Sequence, residues 1–160
     1  MNTLADTAPA FVEMAHQIVW ASVTTVDRNA VPRSRILHPF WVFDGVELVG
    51  WIGTGKTPVK AAHLAANPNV SVSYWAPTHD TCAAVCRAEW ADDPETREWL
   101  WDAFKNAPAP LGFDPAMIPG WDSPASESFM VLRLTPIHLR VFPGTALTAG
   151  VGDILTWTAP

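Results

Sequence analysis

The chain has 160 residues, the size of one ordinary globular domain, and its sixteen acidic and ten basic residues give a net charge of −6. The basic residues form no cluster and no apolar run reaches the roughly 18 residues of a membrane span, which argues against a nucleic acid or a membrane as partner. Only 16% of the residues are charged and nine are tryptophan, which predicts a buried interface, a bound flat ligand, or both. The first 18 residues lack the basic start of a signal peptide, so we expect a cytoplasmic protein.

Helix and strand signals follow one another closely through the first third of the chain. Residues 10–18 can form a short helix, and the β-branched and aromatic run 19–26 predicts a strand that ends at a turn. A second extended run covers 32–43, and Asp44-Gly45, a strong hairpin signal, leads into a third at 46–54. Three strands joined by tight turns predict an antiparallel meander.

The rest of the chain combines strands with two helices. Thr57 can cap a helix that starts at Pro58 and stops at Asn67-Pro68, and a second helix is predicted at 95–106. This second helix and an ordered proline-rich segment form an insert at about 93–126. Seven or so hairpin-linked strands then predict a closed β-barrel in one domain, residues 1–160. The later strands are expected at 69–75, 81–91, 128–134 and 137–142, with a short edge strand in the tail 150–160.

The two cysteines, Cys82 and Cys86, are not expected to form a disulfide. In a strand they share a face roughly 13 Å apart at ~3.3 Å per residue, beyond the ~7 Å that a disulfide spans. We therefore expect two buried free thiols. The five histidines are scattered and none pairs with a cysteine at ligand spacing, so no metal site is expected.

Residues 50–57 match a phosphate-binding loop when they are taken literally. Gly50, Gly55, Lys56 and Thr57 satisfy the pattern G-x-x-x-x-G-K-[ST]. That loop needs a parallel βαβ context and bare backbone, whereas Pro58 follows at once and the neighbouring strands alternate as antiparallel ones do. A nucleotidase with such a loop is kept only as the last of the alternatives.

A second interpretation of this segment keeps an anion as the ligand. The helix that starts at Thr57 offers free backbone N–H groups, which can bind a phosphate. Lys60 falls in its first turn, where a cation is unfavourable unless an anion is also present. Arg33 and Arg35 share one face of the second strand and can add bidentate contacts. This set favours a phosphate group as the ligand.

Several segments in this order resemble one family. They are similar to the motifs of the flavin-binding split-barrel family of pyridoxamine 5'-phosphate oxidase, including its actinobacterial flavin and deazaflavin oxidoreductases. The likeness covers about two thirds of the chain, and the spacing from Thr54 to Lys60 agrees with that of the family. The matching segments are Pro32–His38, Trp51–Thr54 with Lys60, His63–Trp75 and Pro136–Gly144.

The resemblance implies a mainly β fold, a six- to seven-stranded antiparallel split β-barrel with a few short helices, and a cofactor at a homodimer interface. That cofactor is FMN or, alternatively, the deazaflavin coenzyme F420. By the resemblance Arg33 and Lys60 hold its phosphate, residues 52–54 line its ring, and Phe142 contacts it from the other subunit. The implied cofactor contacts are Arg33, Ser34, Arg35, Ile36, Leu37, Ile52, Gly53, Thr54, Val59, Lys60, Thr81 and Phe142.

The chain also departs from the family pattern. His38 stands where the family has a lysine for pyridoxal phosphate, and Val59 replaces an arginine, which argues against pyridoxamine phosphate as substrate. His38 and Trp75 are the expected substrate-side residues. The resemblance implies a flavin-dependent oxidoreductase that transfers hydride to or from a small planar organic molecule. Because the cofactor carries the hydride, no catalytic side chain is identified. The alternative is a non-catalytic flavin- or haem-binding carrier or sensor.

Overall fold

The computed structural model describes residues 2–160, which form one eight-stranded antiparallel sheet and a few short helices. Neighbouring strands follow the order β2-β1-β5-β6-β7-β4-β3, and β8 pairs with β7. The two ends of this order, β2 and β3, do not pair with each other, so the barrel is split rather than closed. The elements are α1 Leu4–Ile18, β1 Ala21–Val26, β2 Pro32–Leu37, β3 Pro39–Phe43, β4 Leu48–Thr54, α2 Pro58–Ala66, β5 Asn69–Trp75, β6 Thr81–Trp90, α3 Pro94–Asn106, a 3-10 turn Pro115–Met117, β7 Met130–Phe142, α4 Gly144–Thr148 and β8 Leu155–Thr158.

The prediction of a mainly β split barrel is confirmed, but the predicted meander is wrong. The run 32–43 forms two strands that separate at His38, and they lie at opposite ends of the strand order. Pro39, which lacks an N–H, follows the break. β2 pairs only with β1, and β3 pairs with β4, so β2 is not a neighbour of β4. This break is the split of the barrel.

The last two predicted strands are one strand, β7. Pro136 lies inside it, because a register shift opposite Val85 and Cys86 places an extra residue, Ile137, on β7. A bulge of this kind accommodates a proline within a sheet. The tail strand is confirmed as β8, which brings the count to eight instead of the expected six or seven.

The barrel core forms where the sequence alternates. On β5 the buried residues are Val70, Val72 and Tyr74, as the pattern predicts. The indole N–H of Trp41 donates to the Tyr74 hydroxyl at 2.8 Å, which satisfies both polar groups inside the core. Helix α1 packs against the barrel and contributes Phe11 to its core. It begins at Leu4 rather than at residue 10, because Thr3 forms a capping box with Asp6.

The insert has a small core of its own. Helix α3 is confirmed, with Asp93 as its N-cap, and the proline-rich segment after it is ordered, with Leu111 and Trp121 buried. A second apolar cluster joins α3 to this segment and to the start of β7. Its buried members are Leu100, Trp101, Phe104, Trp121, Phe129 and Val131.

Cys82 and Cys86 are free and buried, as expected, and burial raises the pKa of both thiols. Within residues 2–160 no three His, Cys, Asp or Glu side chains come close enough together to hold a metal ion.

None of the helices in the described part of the chain is long and apolar enough to cross a membrane.

Candidate functional site

Lys60 is a buried cation in the first turn of α2. Thr57 caps this helix and Pro58 begins it, which fixes where the lysine emerges. Its side chain is 8% exposed, and Nζ donates to the Thr54 hydroxyl at the end of β4 at 2.6 Å. Burial lowers the pKa of Lys60, and the charge of Arg35 lowers that pKa further. The charged form of Lys60 is therefore less favoured in the folded chain than in water.

Arg35 lies beside it on the inward face of β2. Its Nη1 donates to the Thr25 hydroxyl at 2.8 Å, and that hydroxyl also lies 2.9 Å from Nδ1 of His63. The other terminal nitrogen, Nη2, is buried and has no hydrogen-bond partner. Burial lowers the pKa of Arg35, and neighbouring Arg33 adds to the effect.

Three basic residues, here called the cation cluster, lack a counter-charge within residues 2–160. They are Arg33, Arg35 and Lys60. The ion pairs found within residues 2–160 involve Lys56 and Arg133 only, and none includes a member of the cluster. Lys60 is the buried member of this cluster, and a buried cation without a counter-charge is stabilised when an anion binds. The unpartnered Nη2 of Arg35 provides a donor for that anion.

The structure contradicts the phosphate-binding loop. Gly50 lies inside β4, which runs antiparallel to β3 and β7, and a Cβ on Gly50 would lie 2.6 Å from the Trp41 ring. Lys56 is paired with Asp92 at 3.2 Å instead of pointing into a phosphate loop. The glycine in this segment makes room for a core tryptophan, so a nucleotidase of that class is excluded.

An apolar cavity of about 550 Å³ adjoins the cation cluster. That volume lies within the ~300–1,000 Å³ typical of small-molecule sites. Thr54 borders the cavity and also binds Lys60, so one hydroxyl connects the apolar and the cationic regions. The lining contains no Asp, Glu, Lys or Arg; it consists of Val19, Trp20, Ile36, Leu37, His38, Gly53, Thr54, Gly55, Phe104, Pro110, Phe113, Met117, Ile118 and Trp121.

His38 lines this cavity at the split of the barrel. Its ring packs among the rings of Trp20, Phe104 and Phe113, with centroid distances of 5.3, 5.1 and 5.0 Å. Nε2 is buried and has no hydrogen-bond partner. Burial lowers the pKa of His38 to about 4, with a smaller contribution from His16. At neutral pH the imidazole is therefore uncharged.

We expect His38 to make the fold less stable in mild acid. The unfolded chain protonates this histidine near pH ~6.5 and the folded chain only near pH 4, so stability is fully present above the higher value and falls as the pH decreases between the two. Between neutral pH and pH ~5, wild type should lose about 1–2 kcal/mol more free energy of unfolding than H38L. Urea unfolding at both pH values measures this difference. The control H138L should keep the wild-type loss because His38 is intact, and equal losses in wild type and H38L would contradict the assignment.

Many of the residues named from the sequence come together here. The cation cluster consists of Arg33, Arg35 and Lys60, of which Arg33 is exposed. Arg35 is the arginine whose charge lowers the pKa of Lys60. The others that meet at the cavity are Ile36, Leu37, His38, Gly53 and Thr54.

The remaining named residues lie elsewhere. The Ile52 side chain is in the barrel core, and Val59 borders a separate groove beside Arg33. Ser34 is on the outer face of the sheet, where its hydroxyl lies 2.6 Å from that of Thr24. Trp75, Thr81 and Phe142 lie side by side on adjacent strands of the same face.

Sequence reasoning missed the part of the cavity that the insert supplies. Phe104, Phe113 and Trp121 reach the cavity through packing that no local pattern encodes. Thr25 and His63 were also missed. His63 stands one helical turn after Lys60 on α2, and this spacing was the available signal.

No protein-family model matches the sequence, and no curated protein matches it. Solved structures do share the fold. A protein from Clostridium acetobutylicum related to general stress protein 26 (pyridoxinephosphate oxidase family) is 15% identical, with a TM-score of 0.68, over 91% of this chain and 89% of that one. A pyridoxamine 5'-phosphate oxidase-related, FMN binding protein from Nostoc punctiforme is 16% identical, with a TM-score of 0.68, over 95% and 90%.

A heme binding protein from Mycobacterium smegmatis is 14% identical, with a TM-score of 0.62; 99% of this chain matches 59% of that one. At identities of 14–16% these three structures show that this chain shares their fold, an antiparallel split barrel.

Proposed function

We propose that the chain is a cytoplasmic, homodimeric flavin-dependent oxidoreductase that binds FMN, or the deazaflavin coenzyme in its place. One observation carries the proposal: Lys60, a buried cation without a counter-ion, is hydrogen-bonded to the hydroxyl that borders an apolar cavity. A ligand with an anionic end and a flat apolar ring matches both regions. An FMN binding protein among the structures of the same fold supports the choice of a flavin.

The residues present fit such a cofactor. Lys60 and Arg35 would hold the phosphate, because the buried Nη2 of Arg35 needs an acceptor. Gly53 and Thr54 would lie along the ring, and the apolar lining would exclude water from it. A bound flavin supplies hydride transfer. His38 would present a neutral imidazole to a small planar substrate in the same cavity.

The homodimer is proposed from the outer face of the sheet. Trp75 is 60% exposed there, next to Thr81 and Phe142, and Ile36, two strands away on the same face, is 65% exposed. Large apolar side chains that share a face indicate an interaction surface. In a dimer Phe142 would reach the partner's cofactor. A sedimentation mass equal to one chain would contradict this part of the proposal.

His38 also supports the second candidate, a non-catalytic haem-binding carrier or sensor. The unpartnered Nε2 of this neutral imidazole would be available to bind haem iron, and a heme binding protein shares the fold. The cation cluster favours the flavin, because it supplies the positive charge that a phosphate needs and the neutral His38 does not.

Comparing riboflavin with FMN tests the proposal, since the two share the ring and differ by one phosphate. We expect FMN to bind at least about tenfold more tightly, the effect of one charge-assisted contact. In R35Q this preference should decrease, whereas R87Q, which changes an exposed arginine on β6, should leave it unchanged. Quenching of flavin fluorescence measures all three proteins. Equal affinities for riboflavin and FMN in wild type would reject the phosphate site.

A further inference from the structure

The insert supplies a distinct side of the apolar cavity. Six of its fourteen lining residues come from α3 and the segment that follows, and we call them the insert wall: Phe104, Pro110, Phe113, Met117, Ile118 and Trp121. The remaining lining belongs to the barrel itself, where Thr54 connects with Lys60. The cofactor proposed above would occupy the barrel side, next to the cation cluster.

The insert wall is held in place by contacts within the chain itself. The indole N–H of Trp121 donates to the Ser128 carbonyl at 3.0 Å, and the rings of Phe104 and Phe113 pack 4.7 Å apart. Gly53 on β4 allows the close approach, because a Cβ there would lie 3.2 Å from Trp121 and 2.7 Å from Phe129. A pre-formed wall of this kind selects ligands by shape.

Among residues 2–160, no charged side chain lies on the wall or on the rest of the lining. A ligand that buried a charge against it would lose hydration without gaining a partner. Flat aromatic side chains favour a flat aromatic ligand through stacked or edge contacts. Met117 and Ile118 are 79% and 37% exposed, which leaves an apolar rim where such a ligand would enter.

We infer that the insert wall is the substrate-binding surface of the oxidoreductase and that it selects flat, uncharged aromatic molecules. That the bound molecule is a substrate rests on the proposed function. The selectivity for flat, uncharged molecules rests on the insert wall itself. His38 is the nearby polar side chain that can offer such a molecule one hydrogen bond. Charged substrates of similar size are disfavoured because the insert wall offers no counter-charge to them.

Acridine and 9-aminoacridine test this selectivity, because at mildly alkaline pH the first is neutral and the second is a cation of nearly the same shape. We expect FMN-saturated protein to bind acridine at least about tenfold more tightly. I118E should weaken acridine binding about tenfold, since it places a carboxylate on the wall. The matched control I154E, at a residue 47% exposed and outside the cavity, should not change it. Ligand fluorescence measures each affinity.

Three results would overturn the inference. They are equal affinities for the two acridines, an unchanged affinity in I118E, and loss of acridine binding when FMN saturates the protein, which would assign the whole cavity to the cofactor ring. A failure of the proposed function is separate, because it appears as absent FMN binding in wild type. In that case the dependence of acridine affinity on Ile118 is still measured on cofactor-free protein.

Discussion

K60M should lower the affinity for FMN by about 10- to 150-fold, the effect of losing a charged hydrogen bond worth ~1.5–3 kcal/mol. Methionine keeps the apolar stem of Lys60 in place but removes the ammonium group that would meet the phosphate. The free energy of unfolding should change little. Removal of a buried cation without a counter-ion stabilises the fold, whereas loss of the hydrogen bond to Thr54 destabilises it, so the two effects oppose each other. Flavin fluorescence and urea unfolding measure the two effects.

Riboflavin separates the phosphate effect from any distortion of the cavity. Its affinity should be the same in K60M and in wild type, since it has no phosphate. The control K105M removes a lysine from the exposed last turn of α3 and should leave both affinities unchanged. If K60M bound FMN as tightly as wild type, Lys60 would have no role in the site.

G112A should destabilise the protein by about 2–4 kcal/mol, the range for a substitution that forces backbone to move. A Cβ on Gly112 would lie 1.9 Å from the Ala107 carbonyl oxygen and 3.2 Å from that of Phe104. The turn after α3 cannot yield without cost, because Gly112 N–H donates to the Pro108 carbonyl at 3.0 Å. Urea unfolding measures the loss.

The same substitution should weaken acridine binding, because the displaced turn carries Phe113 of the insert wall. G55A is the control for stability: its Cβ would have 3.7 Å to the nearest atom, a Ser128 carbonyl oxygen, and should change the free energy of unfolding by less than about 1 kcal/mol. If G112A unfolded at the same urea concentration as wild type, the insert would not depend on this close approach.

Local signals predicted the parts of the site that depend on local chemistry. Thr57, Pro58 and Asn67-Pro68 determine the bounds of α2, and the structure follows them. A lysine in the first turn of that helix is unfavourable by itself, so the sequence alone identifies Lys60 as a candidate anion-binding residue. The alternation of β5 gave its buried face correctly.

Long-range pairing decided what local signals could not. Both halves of 32–43 favour strand, so the sequence does not reveal that β2 joins β1 while β3 joins β4 at the other end of the sheet. The same break brings His38 to the cavity. Its partners Phe104 and Phe113 lie about 70 residues further along the chain, and only the folded insert brings them to it. The cation cluster was therefore predictable, and the insert wall was not.

The central claim is that the cavity and the cation cluster hold one flat, phosphorylated cofactor. The most direct measurement is the visible absorption spectrum of the purified protein, followed by mass spectrometry of whatever it releases on denaturation. We expect a yellow protein that releases FMN or the deazaflavin coenzyme in equal molar amount with the chain. Release of haem would favour the carrier or sensor instead. A colourless protein that takes up neither flavin when it is supplied would contradict the account.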